Sequence, residues 1–103
     1  MSLILAYITC PSKDEAKKIA KLLLEKKLIA CAVITGEVDS LFWWKNKISE
    51  EKEFLLIAKT DGGKFNKIVA EVEKIHPYDV PCIIKIPISA NKKYAKWLKD
   101  VMK

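Results

Sequence analysis

A chain of 103 residues, half of them apolar and 31% charged, holds one domain with one core (1–103) and is too short for two. All 19 basic residues behind the net charge of +6 are lysines, and without arginine's bidentate fork for guanine or phosphate, nucleic acid is not the expected partner. No stretch nears the roughly 20 apolar residues of a membrane span, the run Leu3–Ile8 lacks a signal peptide's basic flank, and three scattered cysteines without CxxC spacing fit a reducing compartment, so no membrane partner and a cytoplasmic location are expected.

Leu3–Thr9 reads as a buried strand, broken by Pro11. Ser12 with Glu15 three residues later has the form of a capping box, opening a helix to about Lys27. Its apolar stripe is Ala16, Ile19, Ala20 and Leu23. Leu28–Thr35 is a second strand, Gly36 punctuates, and Val38–Trp44 is extended again. Lys45-Asn46-Lys47 reads as a hairpin turn in which Asn46 takes a positive φ. Glu53–Thr60 is the return strand and Asp61-Gly62-Gly63 a loop. A second helix carries Phe65, Ile68, Val69, Val72 and Ile75 and ends at Pro77. Val80–Ile88, with prolines near both ends, suits an edge strand. Asn91 caps a last helix whose buried face is Tyr94, Trp97, Leu98 and Val101.

The order β-α-β-β-α-β-α predicts an α+β, ferredoxin-like sandwich. It has one antiparallel sheet with helices on one face, an extended central hairpin and an added C-terminal helix. The other sheet face then has no cover within the chain. Phe42, Trp43 and Trp44 are consecutive, so a strand places aromatics on both of its faces. That arrangement predicts a seam with a second copy over residues 38–57.

The stretches "LLLEKKLIACAVI" (22–34), "SLFWWKNKI" (40–48), "EEKEFLLIAKT" (50–60), "IHPYDVPCII" (75–84) and "YAKWL" (94–98) resemble the CutA family of divalent-cation tolerance proteins, over about Tyr7 to Leu98. The resemblance implies a compact homotrimer whose hairpins cross between subunits, much as in the PII signal proteins. It also implies a part in copper tolerance and copper binding. In bacterial members the proposed copper ligands are a cysteine near the end of the first strand and histidines at the HPY motif. Here His76 matches the motif histidine, but Ile75 precedes it. Ile8 takes the cysteine's place, with Cys10 two positions later. Cys82 replaces the glutamate after VP, and Asn46 the hairpin glycine. Cys10 and Cys82 are therefore the thiols expected to join His76 in an altered metal site.

Taken alone, His76 beside a helix end suits a structural donor as well as a ligand. One histidine and scattered thiols do not make a four-ligand zinc site. Copper(I) needs only two or three soft ligands, and a trimer offers three copies of each. Glu53, Lys59, Tyr78 and Asp79 are read as lining an intersubunit cleft that holds a small anion or metabolite. No GxSxG, HExxH or phosphate-cradling glycine loop is present, so no enzyme is expected. Copper is a candidate ligand, not a required cofactor.

Overall fold

Every second side chain of β1 (Leu3–Cys10) is buried: Ile4, Ala6, Ile8 and Cys10 are at most 1% exposed, whereas Leu5, Tyr7 and Thr9 between them are half-covered. The pleat alternates side chains between faces, so one face of the sheet is packed and the other is not. The computed structural model describes residues 2–103. After β1 come α1 (Lys13–Glu25), β2 (Cys31–Trp44), β3 (Lys47–Asp61), a 3-10 turn (Gly62–Lys64), α2 (Phe65–Ile75), β4 (Ile83–Pro87) and α3 (Lys92–Val101). The strands form one antiparallel sheet in the order β2-β3-β1-β4. This is the expected ferredoxin-like α+β arrangement, with β4 on an edge as its prolines require.

Helices α1 and α2 cover one face. Ile19 and Leu23 of α1 and Ile68 and Val72 of α2 join Ala6, Ile8, Leu56 and Ala58 of the sheet in the main core. The Ser12 hydroxyl opens α1 by accepting the Glu15 N–H at 3.1 Å, which satisfies one orphan donor of the first turn. The helix stops at Glu25, two residues before its expected end. There Lys27 turns to φ 58°, its N–H bonds to the Leu24 carbonyl and the Leu28 N–H to that of Leu23. This is a Schellman closure with lysine where glycine is usual. Leu28 and Leu23 then enter the same core.

Residues 28–30 are buried but precede the strand, so β2 begins at Cys31, later than expected. From there β2 runs unbroken to Trp44, because Thr35 and Gly36 form a bulge instead of a break: Ile34 pairs with Leu56 and Glu37 with Phe54. The Thr35 hydroxyl accepts the Leu55 N–H at 3.0 Å. One extra residue in β2 reverses its alternation beyond the bulge. Leu41 and Trp43 (opposite Ile48) therefore lie on the helix side of the sheet, and Phe42 and Trp44 on the open side. Lys45 and Asn46 both have positive φ, at 50° and 64°, the requirement of a two-residue type I′ turn. The hairpin runs well past the helices, on a molecule 44 Å long, and Trp43 is 73% exposed.

β4 is shorter than expected, with Val80, Pro81 and Cys82 outside the ladder. Asn91 stands at the N-cap of α3, but its side chain makes no capping bond. Leu98 is the residue α3 buries, with Tyr94 and Val101 partly covered against Ala30 and Leu3. Trp97 was expected on that face and is instead 44% exposed. It lies about 100° around the helix from Leu98, beyond the stripe the small second core can hold.

The open face carries Leu5 and Tyr7 of β1, Val33 of β2, Leu55 and Ile57 of β3, and Ile84 and Ile86 of β4. Among the described residues α3 is the helix that reaches it, at one end, where Tyr94 contacts Cys31 and Lys59. Val33, Ile84 and Ile86 are each at least 39% exposed. Among the described residues the rest of this face is left without a covering helix, as expected.

Candidate functional site

β1 stops at the Cys10–Phe54 pair while β3 continues, so Glu53 is the first β3 residue without a β1 neighbour. The segment after α2 fills that gap. His76 caps α2, bonding its N–H to the Val72 carbonyl at 2.8 Å, and Pro77 prevents the helix from continuing. The His76 ring is only 8% exposed. Its Nε2–H donates to the Thr9 carbonyl at 2.8 Å and its Nδ1 accepts the Tyr78 N–H at 3.1 Å. A carbonyl accepts and an N–H donates, so these two partners fix the neutral Nε2–H tautomer. The His76 and Tyr78 rings pack at 4.7 Å. The Tyr78 hydroxyl donates to Glu53 Oε2 at 2.7 Å.

Glu53 is 5% exposed, and no ion pair among the described residues reaches it. A buried carboxylate held by one hydroxyl and no cation projects negative charge onto its neighbours. Burial pushes the Cys10 thiol up to about 11, with Glu15 and then Glu53 adding to the effect. The Tyr78 hydroxyl is raised by burial, by its bond to Glu53 and by that carboxylate's charge. Burial and Glu53 raise Cys82, while a hydrogen bond from Thr9 works the other way. All three groups stay protonated near neutral pH around one carboxylate.

Five of the residues singled out in the sequence thus meet at one end of β1: His76, Cys10, Cys82, Glu53 and Tyr78. They do not form a ready metal site within one chain. Both His76 nitrogens are already engaged, and Cys10 lies on the helix-covered side of the pleat, opposite the side that carries Glu53. Among the described residues no group of three or more His, Cys, Asp or Glu side chains is placed to hold a metal ion. One chain as it stands does not fit copper unless the His76 bonds open or a second copy adds donors.

Lys59 stands apart. Six residues beyond Glu53 on β3, it lies about 20 Å away, next to Cys31 and Tyr94. The four residues expected to line one cleft therefore occupy two ends of the sheet in a single chain. Asp79 is exposed beside Tyr78. Phe42, Trp43 and Trp44 are remote from both ends, at the hairpin tip. The sequence reading missed Thr9, whose backbone carbonyl holds the His76 ring, a contact that leaves no trace in residue type. It also missed the Cys31–Tyr94 contact, which joins residues 63 positions apart at 3.3 Å.

A sequence model of the CutA1 divalent ion tolerance protein family matches residues 4–101. The chain is 45% identical over 97 residues to the divalent-cation tolerance protein CutA of Archaeoglobus fulgidus, covering 93% of this chain and 94% of that one. It is 40% identical over 102 residues to a CutA homolog of Xenopus laevis, covering 98% of this chain and 68% of that protein. Among solved structures, CutA1 of Oryza sativa superposes with a TM-score of 0.95 at 36% identity, covering 100% of this chain and 95% of the other. The A. fulgidus protein, described there as periplasmic, gives a TM-score of 0.94 at 43% identity, with 98% and 99% covered.

Proposed function

The chain belongs to the CutA1 divalent ion tolerance family, and from that premise we propose that it works as a homotrimer that takes up copper or another metal ion. The observation that carries the reading is the Glu53 end of the sheet. There a buried carboxylate has only the Tyr78 hydroxyl for compensation, and its charge is felt at two thiols, Cys10 and Cys82. Uncompensated negative charge in a low dielectric favours a cation strongly. His76, Cys10 and Cys82 are its ligands in this proposal, and a soft pair of thiols selects copper(I) over harder ions. Because one chain lacks a complete donor set, the ion is shared between copies.

The trimer rests on the open face and the hairpin. An apolar sheet surface with Phe42 and Trp44 continuing its line is the kind of patch that a second copy covers. Trp43 faces the other way and packs against the neighbour that the hairpin crosses. The protein binds and does not catalyse, and its free thiols suit the cytoplasm. No helix among the described residues is long and apolar enough to cross a membrane.

The saturated His76 ring favours a second reading, in which this end of the sheet is a structural latch and metal uptake is incidental. The trimer is then a PII-like module holding a small ligand between subunits, where Lys59 of one copy can approach Glu53, Tyr78 and Asp79 of another. Native mass spectrometry of the reduced protein titrated with copper, beside His76→Ala, separates the two. A trimer that takes copper in fixed steps, with uptake lost in the variant, supports metal handling. A trimer with no stoichiometric uptake supports the ligand module.

A further inference from the structure

Charge is spread unevenly over the three helices. α1 carries four lysines against three carboxylates and α2 two against two. On α3 and the residues that close it, Lys92, Lys93, Lys96, Lys99 and Lys103 stand against Asp100 alone, a side-chain charge of +4 out of the chain's +6. All five lysines are exposed. Asp100 is occupied, with Lys96 at 2.8 Å and Lys103 at 4.0 Å. Lys92, Lys96 and Lys99 follow one another at helical spacing within about 60° of arc, and Lys103 continues the line. Leu98 is buried on the opposite side, so the lysines point away from the sheet.

Two apolar features flank this line. On one side is a groove of about 400 Å³ between α3 and the start of β1, floored by Leu3 and Ala95 and rimmed by Lys96 and Lys99. On the other is Trp97, 44% exposed, its ring held against Tyr94 at 5.4 Å. We propose that the outer side of α3 is a docking surface for an anionic lipid bilayer, with the lysines on the headgroups and Trp97 at the level where headgroups meet acyl chains. Amphipathic helices that lie on a bilayer combine lysine with tryptophan in this way. The contact is peripheral and needs no spanning segment.

Charge complementarity and the kind of cation select this occupant. An ammonium is a point charge on a flexible stem, suited to a diffuse field of mobile headgroups, whereas the fixed phosphates and base edges of nucleic acid favour the guanidinium fork that this chain lacks. The groove and the indole add apolar surface that an acidic peptide backbone does not require. α3 lies across one end of the open face with its lysines turned outward, so a second copy seated on the rest of that face leaves them in solvent. A cyclic trimer holds three such faces at one height along its axis, and simultaneous contacts multiply a weak one. That gain in avidity rests on the trimer proposed above, whereas the character of the surface does not.

The test is co-sedimentation of the full chain with vesicles of three parts phosphatidylcholine to one part phosphatidylserine, beside vesicles of phosphatidylcholine alone. The protein is expected on the mixed vesicles only, and added salt is expected to release it. Changing Lys92, Lys96, Lys99 and Lys103 together to glutamine is expected to weaken binding at least about a hundredfold. The same change at Lys13, Lys17, Lys18 and Lys21 of α1, which removes as much charge from other exposed positions, is expected to weaken it less than about tenfold. No preference for the mixed vesicles, or equal losses in the two variants, overturns the proposal. So does a single-stranded oligonucleotide held more tightly than the vesicles by the same α3 lysines, which would make nucleic acid the occupant. Sedimentation without vesicles reports assembly separately: a monomer that still selects mixed vesicles through α3 supports this surface while the trimer fails, and a trimer that ignores them overturns it.

Discussion

The two faces of the sheet are made of similar side chains and have different fates. On the helix side, Ile4, Ala6, Ile8, Leu56 and Ala58 are at most 1% exposed. On the other, Leu5, Tyr7, Leu55 and Ile57 are half-covered, and Val33, Ile84 and Ile86 stand at 39–47% exposure. A strand with one wet face ordinarily alternates apolar with polar, and a near-continuous apolar run belongs to a sheet buried on both sides. The strands here are composed for two covers and the chain supplies one. In the proposed trimer, that difference puts the information about assembly in the open face and the information about folding in the covered one.

The largest effect expected from breaking this comparison is on the covered side. Ile8→Ala opens a cavity and is expected to cost about 2–5 kcal/mol in urea unfolding, whereas Ile84→Ala, measured on dissociated chains, is expected to cost less than about 1 kcal/mol. Equal costs would mean that the faces are not distinct. Next in size is Tyr78→Phe, which removes the hydrogen bond to Glu53 and leaves a buried carboxylate unsatisfied. A loss of about 1–3 kcal/mol is expected by the same assay, and no loss would remove the strained-charge account of that end. The smallest effect is a slope with pH. Cys10 holds its proton up to about 11 when folded, against an ordinary value of 9.0. Between those values the unfolded chain has released a proton that the folded chain keeps, so stability falls as pH rises and is unaffected by this thiol below about 9. Thermal melts of wild type and Cys10→Ala from pH 8 to 11 are expected to converge as the pH rises.

Run length and periodicity made the element order legible, because Leu3–Cys10 and the stripes of α1 and α2 are strong local signals. What escaped was set by contacts. The bulge at Thr35 and Gly36 looked like a chain break, since glycine marks both, and only pairing with β3 keeps β2 continuous. The end of α1 was misplaced because Lys27 carries a left-handed φ that lysine does not announce. Trp97 looked buried because the helix period cannot report how small the second core is. At the site, the HPY motif marked His76 and Tyr78, and Glu53 stood out as a polar residue in a strand. That their partners are one another and the Thr9 carbonyl follows from β1 ending one residue short of Glu53, a matter of register. Lys59 was grouped with them by residue type, and its distance along β3 separates it.

The central claim is that the open face is where copies of this chain meet. Sedimentation of wild type beside Ile57→Asp, which places a charge at the middle of that face, tests it most directly. The account predicts a trimer for wild type and a folded monomer for the variant, with far-ultraviolet circular dichroism unchanged. A monomeric wild type, or a variant that remains trimeric, would contradict it.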